Sequence, residues 1–214
     1  EPARTQTVYA FVKRSFDIIC SLLLIVLLMP VLLVVAVISA VDTKSNPLFI
    51  QTRMGRNNRP FRMIKFRTMS PKAPSNMATH RFTDALDYIS PVGGALRKLS
   101  LDELPQLWNI FCGDMSVVGP RPALWSQFNL VAARDAVGAN DVRPGLTGWA
   151  QINGRDEISI QEKVALDGEY VRRRGVMFDI KCFFGTFSKL SGSEVVEAEV
   201  PEDHDEEARE VAAE

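Results

Sequence analysis

The amino-acid sequence predicts a mixed, helix-rich α/β fold preceded by a strongly apolar helical segment. First, residues 18–41 form a run of 24 residues without a formal charge, long enough to cross the hydrocarbon core of a bilayer. Second, short extended stretches at 48–50 and 61–67 flank a polar turn at 55–59. Third, residues 158–174 are predicted to form a helix, and residues 176–187 have the apolar spacing of an amphipathic helix.

The apolar run has two open interpretations, a single transmembrane helix and a re-entrant hairpin that is bent at Pro30. Proline removes a helix hydrogen bond and kinks the axis. Lys13 and Arg14 precede the run, and nine Lys and Arg residues but no acidic residue lie between Asp42 and Asp84. Positive charge marks the cytoplasmic side, so two positive flanks favour the hairpin. Backbone carbonyls freed in lipid count against it, and a signal peptide would be shorter.

Charge is distributed unevenly along the chain. Residues 191–214 contain ten acidic residues and one Arg, which leaves residues 1–190 with a net charge of +8. A basic body beside an apolar segment indicates a surface for anionic lipid or phosphate. Basic residues interleaved with aromatic ones, which are typical of single-strand binding, are not evident, so no nucleic-acid partner is expected. The three cysteines lie far apart and predict neither a zinc site nor a disulfide framework.

Two adjacent carboxylates, Asp102 and Glu103, stand at the start of an apolar helical pattern. We predict a helix that begins at or just after Asp102, because Pro105 then falls in the first turn, where proline is tolerated. The alternative is a capping box between Ser100 and Glu103, which would place Pro105 one turn inside the helix. An ionised Asp at a helix N-terminus can act as a nucleophile or bind Mg²⁺. For an isolated Asp-Glu pair, a plain capping role is the commoner explanation.

Three arginines stand beside proline or glycine, namely Arg121, Arg143 and Arg155. Rigid neighbours present a guanidinium with little loss of entropy, and its planar donors suit phosphate. A single such turn can be a solvated surface feature, but three within 35 residues predict a shared anionic ligand.

Two groups of apolar residues allow more than one role. Met177, Ile180, Phe184 and Phe187 fall on one helical face, which suits either a helix at the membrane interface or one docked on the core. The aromatic residues could belong to the core or to an interface, for example that of a homodimer. They are Trp108, Trp125 and Phe128.

Six short motifs occur in one fixed order between residues 11 and 190, at 65–69, 99–107, 113–116, 119–122, 143–148 and 153–155. Each motif is modest alone, but the series resembles the monotopic polyprenyl-phosphate phosphoglycosyl transferases, the bacterial sugar transferase family. The chain is expected to be a minimal form, without the additional membrane-spanning domain of larger relatives. In one departure, Met29 precedes Pro30 where relatives often carry Ser.

The resemblance implies transfer of a sugar 1-phosphate from a UDP-sugar to undecaprenyl phosphate, with release of UMP, by a ping-pong mechanism. Asp102 would attack the β-phosphorus and carry the phosphosugar. Glu103 would help to bind Mg²⁺ or activate the lipid phosphate, with Mg²⁺ bridging Asp102 and the diphosphate. By analogy the sugar would be an N-acetylhexosamine. The residues expected to surround the phosphates are Lys65, Arg97, Arg121, Arg155 and the acidic Asp179.

The resemblance also implies the organisation of the chain. Residues 1–44 would form the N-terminal segment and re-entrant hairpin, and 45–190 a catalytic domain at the inner leaflet of the bacterial cytoplasmic membrane. The acidic segment 191–214, which lacks aromatic residues, is predicted from its composition to be a disordered tail. The competing hypothesis is a membrane-anchored protein that binds anionic lipid or nucleotide without chemistry. A two-carboxylate glycosidase ranks last, because adjacent carboxylates rarely flank one glycosidic bond.

Overall fold

The computed structural model of the chain describes residues 2–73, 88–154 and 158–191. Within these ranges the fold is helix-rich α/β, as predicted, with eight α-helices and two two-stranded sheets. The predicted acidic tail lies outside the described residues beyond Ser191. The helices are α1 Pro2–Leu27, α2 Met29–Thr43, α3 Pro91–Lys98, α4 Gln106–Cys112, α5 Phe128–Ala136, α6 Trp149–Asn153, α7 Ile160–Arg173 and α8 Val176–Ser191. The strands are β1 Leu48–Met54, β2 Pro60–Phe66, β3 Ser116–Val118 and β4 Gly145–Thr147.

The apolar run forms two helices rather than one, since α1 and α2 are bent by 67° at a break around Leu28. Pro30 lies in the first turn of α2, where its missing N–H is not needed. No single helix in the described part of the chain is long and apolar enough to cross a membrane. The bent pair meets those criteria of length and composition when its two helices are taken together.

Helix α1 is docked on the rest of the protein by polar contacts. Arg14 donates to the carbonyl oxygens of Ile110 (2.7 Å) and Phe111 (2.8 Å) at the end of α4. The buried Asp17 accepts from the Val117 amide at 2.9 Å and from the Ser116 hydroxyl at 3.0 Å. Arg14, which the sequence suggested as a charge flanking the membrane, is thus a cap for the carbonyls of α4.

The C-terminal part of helix α2 also makes contacts with the rest of the protein. The buried Ser39 hydroxyl donates to the carbonyl oxygen of Arg67 at 2.7 Å. Ser90 donates to the Asp42 carboxylate at 2.6 Å. Val35 packs with Phe66 and Leu96 in a small apolar cluster. The two outer ends of the bent pair are therefore both attached to the remainder of the chain.

Both sheets are small, and each is hydrogen-bonded to a helix, β3 to α1 and β2 to α4. Strands β1 and β2 are antiparallel, with Leu48 opposite Phe66, and a short turn at Arg56–Asn58 joins them as predicted. Strands β3 and β4 are parallel. The Asn109 side chain accepts from the Ile64 amide and donates to the Arg62 carbonyl, which joins α4 to β2.

The helices predicted at 158–174 and 176–187 are confirmed as α7 and α8. Ser159 and Glu162 form a capping box at the start of α7. Phe178 and Cys182 bury one face of α8 in the main core, whereas Met177, Ile180 and Phe184 are exposed on the other face. The two proposed roles of α8 thus concern two different faces of one helix. Trp108, Trp125 and Phe128 are all about half exposed or more, so of their two open roles the core is not the one observed, and an interface stays a prediction.

Candidate active site

The adjacent carboxylates lie in a 3₁₀ turn, Leu101–Glu103, between α3 and α4. The predicted helix start at Asp102 is wrong, because α4 begins at Gln106. The chain before Pro105 instead closes the tighter 3₁₀ bond from the Leu104 amide to the Leu101 carbonyl. Ser100 makes no side-chain cap, so the capping-box alternative is also wrong.

Glu103 joins two cations that come from different parts of the fold. Its Oε1 atom accepts from Lys65 Nζ of β2 at 2.9 Å and from Arg121 Nη2, in the loop after β3, at 3.0 Å. Burial alone would raise the pKa of the Glu103 carboxyl, but Arg121 and Lys65 outweigh it and hold that pKa well below its usual range. Glu103 is therefore an ionised anchor for Lys65 and Arg121.

Asp102 is in a different electrostatic state although it is the next residue. It is 6% exposed, and burial raises the pKa of its carboxyl, with a further contribution from the Glu103 charge. Lys65, Arg97 and Arg121 oppose that increase in the pKa. A buried carboxylate with a raised pKa is more basic than an ordinary one, and nearby cations still favour its ionised form. These are useful properties in a nucleophile that attacks phosphorus.

Helix α3 brings Arg97 to the same place. Ser90 caps its first turn by accepting from the Gly93 amide at 2.9 Å. Gly93 lies against the chain that follows β2, where a Cβ atom would come within 2.3 Å of the Thr68 carbonyl oxygen. This close approach needs glycine, and it sets the last turn of α3, with Arg97, next to the carboxylate turn.

The structure thus brings together five of the predicted site residues, whereas Asp179 makes its hydrogen bonds with a different set of partners. Lys65, Arg97 and Arg121 give three positive charges around the two carboxylates, a formal excess of one that suits an anionic ligand. Arg155 lies outside the described residues. Arg143, the remaining one of the three predicted arginines, makes a structural contact: its Nε donates to the Gly113 carbonyl oxygen at 2.9 Å.

Asp179 belongs to a separate cluster between α1, α7 and α8. Its carboxylate accepts from Tyr9 and Lys13 at 2.8 Å and from Tyr170 at 2.9 Å. Burial raises the pKa of the Tyr170 phenol, and so does the Asp179 charge. These contacts make Asp179 the connection between α1 and α8, and none of them is with Glu103.

One pair of residues near the site was missed by sequence reasoning. Arg134 on α5 and Asp167 on α7 form an ion pair in which both side chains are almost fully buried. A third bond runs from Arg134 to the carbonyl oxygen of Arg121 at 2.8 Å. The available signal was a charge on an apolar helical face, since Arg134 follows the buried Leu130 by four residues.

The donor set permits one mode of Mg²⁺ binding. No group of three or more His, Cys, Asp and Glu residues that could hold a metal occurs in the described ranges. Mg²⁺ is often bound by one or two carboxylates together with substrate phosphates, and Asp102 fits that mode. Glu103 fits it less well, because Lys65 and Arg121 both donate to its Oε1 atom.

Comparison with known proteins supports the family suggested by the motifs. The model of a family described as bacterial sugar transferase matches residues 8–193. The undecaprenyl-phosphate glucose phosphotransferase of Komagataeibacter xylinus is 40% identical over 188 residues, which cover 83% of this chain and 35% of that protein. The uncharacterized sugar transferase EpsL of Bacillus subtilis is 37% identical, over 86% of this chain and 90% of EpsL.

A third relative carries a different sugar in its name. The UDP-N-acetylgalactosamine-undecaprenyl-phosphate N-acetylgalactosaminephosphotransferase of Aeromonas hydrophila is 35% identical, over 86% of this chain and 44% of that protein. The chain thus spans about a third of the first relative, less than half of the third, and nine tenths of EpsL. With the family match extending over nearly all of the described residues, and with the six motifs in their expected order, this chain belongs to the bacterial sugar transferase family.

Proposed function

We propose that this chain transfers a sugar 1-phosphate from a UDP-sugar to undecaprenyl phosphate and releases UMP. The observation that carries the proposal is the buried Asp102 surrounded by Lys65, Arg97 and Arg121, next to a Glu103 that is already paired. The names of the Komagataeibacter and Aeromonas relatives support the two substrates. A protein that only binds anions would need the cations but has no need for a buried basic carboxylate.

The reaction that suits this geometry has two displacements at one phosphorus. A carboxylate oxygen of Asp102 attacks the β-phosphorus of the UDP-sugar, the bond from that phosphorus to the bridging oxygen breaks, and UMP leaves. An oxygen of undecaprenyl phosphate then attacks the same phosphorus, the bond to Asp102 breaks, and the lipid diphosphate sugar leaves. Catalysis of phosphoryl transfer comes mainly from positioning and from cations that offset charge on the phosphoryl oxygens. Lys65, Arg97 and Arg121 are the proposed source of that charge.

Glu103 is proposed to act mainly by holding Lys65 and Arg121. A carboxylate whose pKa is depressed is a weak base, so it is poorly suited to taking a proton from the lipid phosphate. Mg²⁺ is proposed as the cofactor, held by Asp102 with the substrate diphosphate and, to a lesser degree, by Glu103. When bound, it would supply further positive charge for the phosphoryl oxygens.

The bent pair α1–α2 is proposed to enter the cytoplasmic membrane and return on the cytoplasmic side. Both of its outer ends are docked on one body, through Asp17 and Ser39, which opposes placement of the ends on opposite sides of a bilayer. Around the break, large apolar side chains are exposed, namely Leu22, Leu23, Val26, Leu27, Met29, Val31, Leu33, Val34 and Val37. External labelling of single cysteines at positions 7 and 44 in intact cells should fail for both, and labelling of one would contradict the hairpin.

The decisive experiment is UMP release in detergent or nanodiscs with undecaprenyl phosphate and Mg²⁺. The panel should contain UDP-glucose, UDP-galactose and the two common UDP-N-acetylhexosamines, because an N-acetylhexosamine stays the predicted sugar and the relatives' names include glucose. We expect UMP from one or two of these sugars, and its loss with EDTA. Asp102→Asn should reduce the rate by at least about 10³-fold, since it removes the nucleophile.

A matched control is Asp141→Asn, which neutralises an exposed carboxylate in the turn between α5 and β4. It should keep the wild-type rate. UMP release that survives Asp102→Asn would place the nucleophile elsewhere. If the folded wild-type protein releases no UMP from any sugar but binds UDP, the binding-protein hypothesis replaces the transferase.

A further inference from the structure

A buried ion pair lies directly behind the loop that carries Arg121. Arg134 on α5 is 3% exposed and Asp167 on α7 is 1% exposed. Arg134 donates from Nε and from Nη2 to the same oxygen, Asp167 Oδ2, at 2.8 and 2.6 Å. Its remaining terminal nitrogen, Nη1, donates to the main-chain carbonyl oxygen of Arg121 at 2.8 Å.

The geometry of the guanidinium makes this third bond directional. The group is a rigid planar fork, so two bonds to Asp167 fix its plane and the direction of its third arm. That arm meets the backbone of Arg121, and the side chain of Arg121 reaches Glu103 at 3.0 Å. A continuous series of contacts therefore runs from α7 through α5 to the carboxylate turn.

The rest of the same loop is held by β4 and its neighbours. The Gly119 amide donates to the Thr147 carbonyl at 2.8 Å, and the Gly145 amide donates to the Pro120 carbonyl at 2.8 Å. These bonds fix the loop before Arg121. Arg134 supplies the corresponding restraint at Arg121 itself.

Stability alone explains the pair poorly. A buried ion pair is often no more stabilising than apolar side chains of similar volume, because both charges lose their hydration. An exact direction for one backbone carbonyl, in contrast, is something that apolar side chains do not provide.

We propose that Arg134, held by Asp167, is a positioning residue of the transferase: it sets the backbone of Arg121 so that the Arg121 side chain meets Glu103 and the substrate phosphates. This inference rests on the proposed function. Arg134 itself is buried behind the loop and acts only through Arg121.

The test uses the double variant Arg134→Met/Asp167→Leu in the full chain. It removes both charges together and keeps the volume, so the fold should survive with a melting temperature near that of the wild type. We expect kcat/KM for the UDP-sugar to fall about tenfold to a hundredfold, as small misplacements of catalytic groups can do. We also expect faster hydrogen–deuterium exchange in the peptide that covers residues 116–125.

The matched control is Leu130→Ala, which removes a buried side chain from α5 one turn before Arg134. It should lower the melting temperature more than the double variant does and leave kcat/KM within about twofold, because it does not touch the Arg121 carbonyl. If the double variant does not fold, Arg134→Lys replaces it. Lysine keeps the charge next to Asp167 but lacks the fork, so the same loss of activity and faster exchange are expected.

Two results would overturn the proposal. Wild-type exchange in 116–125 in a folded double variant would show that Arg134 does not hold the loop, and faster exchange with wild-type kcat/KM would show that the restraint is irrelevant to the reaction. The exchange measurement needs no substrate. If the wild type releases no UMP, the proposed function fails while the exchange still decides whether Arg134 restrains the loop.

Discussion

The clusters around Glu103 and Asp179 are both centred on a carboxylate, but they differ in the ratio of cations to carboxylates. Each centres on a carboxylate that accepts two or three hydrogen bonds from different elements of the fold. The side chains that donate to Asp179 are one lysine and two tyrosines, so the charges within this hydrogen-bonded group cancel. Around Glu103 and Asp102 there are three cations for two carboxylates.

The difference teaches how a structural cluster can be told from a binding site within one protein. A cluster whose charges cancel, and whose donors all have acceptors inside the fold, needs no ligand to be stable. A cluster with an excess of positive charge beside a carboxylate of raised pKa becomes neutral only when an anion arrives. On this basis we propose the Asp102 turn as the site and a structural role for Asp179, whose hydrogen bonds join α1 to α8.

The largest expected change in stability is that of Glu103→Gln, which should disrupt the cluster around Glu103. It leaves Lys65 and Arg121 without their carboxylate, and an uncompensated buried charge is strongly destabilising. We expect the free energy of unfolding to fall by about 3 kcal/mol, at the lower end of the range for buried pairs because Arg121 is 31% exposed. Chemical denaturation in detergent would measure it.

The control for that substitution is Glu169→Gln on α7, whose carboxylate pairs with Arg173 in an exposed position. An exposed pair contributes about 1 kcal/mol or less, so this variant should stay close to the wild type. Equal losses of stability in the two variants would contradict the picture of Glu103 as a buried anchor. Because the pKa of Glu103 is depressed in the folded state, its stabilising contribution to the free energy of unfolding should be fully present at neutral pH. That contribution should be lost as the pH falls from the usual glutamate range through the depressed pKa.

A smaller effect is expected for Asp179→Asn, which sharpens the comparison. Tyr9, Lys13 and Tyr170 would lose a charged acceptor, so stability should fall by about 2 kcal/mol. Because the cluster is proposed to be structural, kcat/KM should change by no more than about threefold. A raised KM for the UDP-sugar with an unchanged melting temperature would instead support the sequence-based prediction that Asp179 lies at the phosphates.

The smallest expected change in stability, and the only increase, is that of Asp102→Asn. The raised pKa means that the ionised carboxylate is unfavourable in the folded state relative to the unfolded one. Asparagine removes that charge, so the melting temperature at neutral pH should rise above that of the wild type. The gain should vanish when the pH falls below the usual aspartate pKa, because wild-type Asp102 is then neutral in both states.

The same raised pKa predicts the acid side of the activity profile of the wild type. Activity should decrease as the pH falls through the pKa of Asp102, at a higher pH than an exposed aspartate would give. A melting temperature that is unchanged or lower in Asp102→Asn would contradict the electrostatic account of the site.

Much of the site was predictable because its residues come from local motifs. Lys65 stands in an alternating strand, Asp102 and Glu103 start an apolar pattern, and Arg121 is fixed between two prolines. The break before Pro30 followed in the same way from the chemistry of proline. The break and the Arg121 turn needed only neighbours in the sequence, whereas the assignment of Lys65 to the site and of Asp102 as the attacking group came from the family resemblance.

The remaining features depend on contacts between distant residues. The start of α4 at Gln106 reflects the 3₁₀ turn before it, which packs against α3 and β2. The pairing of Arg134 with Asp167 joins residues 33 positions apart, and no local pattern marks one as the partner of the other. Lys13 and Arg14 were read as membrane-flanking charges because their partners, Asp179 and the end of α4, lie more than 90 residues away.

The buried Asp17 has a consequence for how this protein can be divided. Its carboxylate sits on the helix that also supplies the apolar surface around the break, and it accepts hydrogen bonds from the strand that leads to Arg121. The proposed anchor and the proposed catalytic body therefore share hydrogen bonds that each needs. Cutting the chain after residue 44 would not release a water-soluble enzyme, because it would strip β3 and α4 of Asp17 and Arg14.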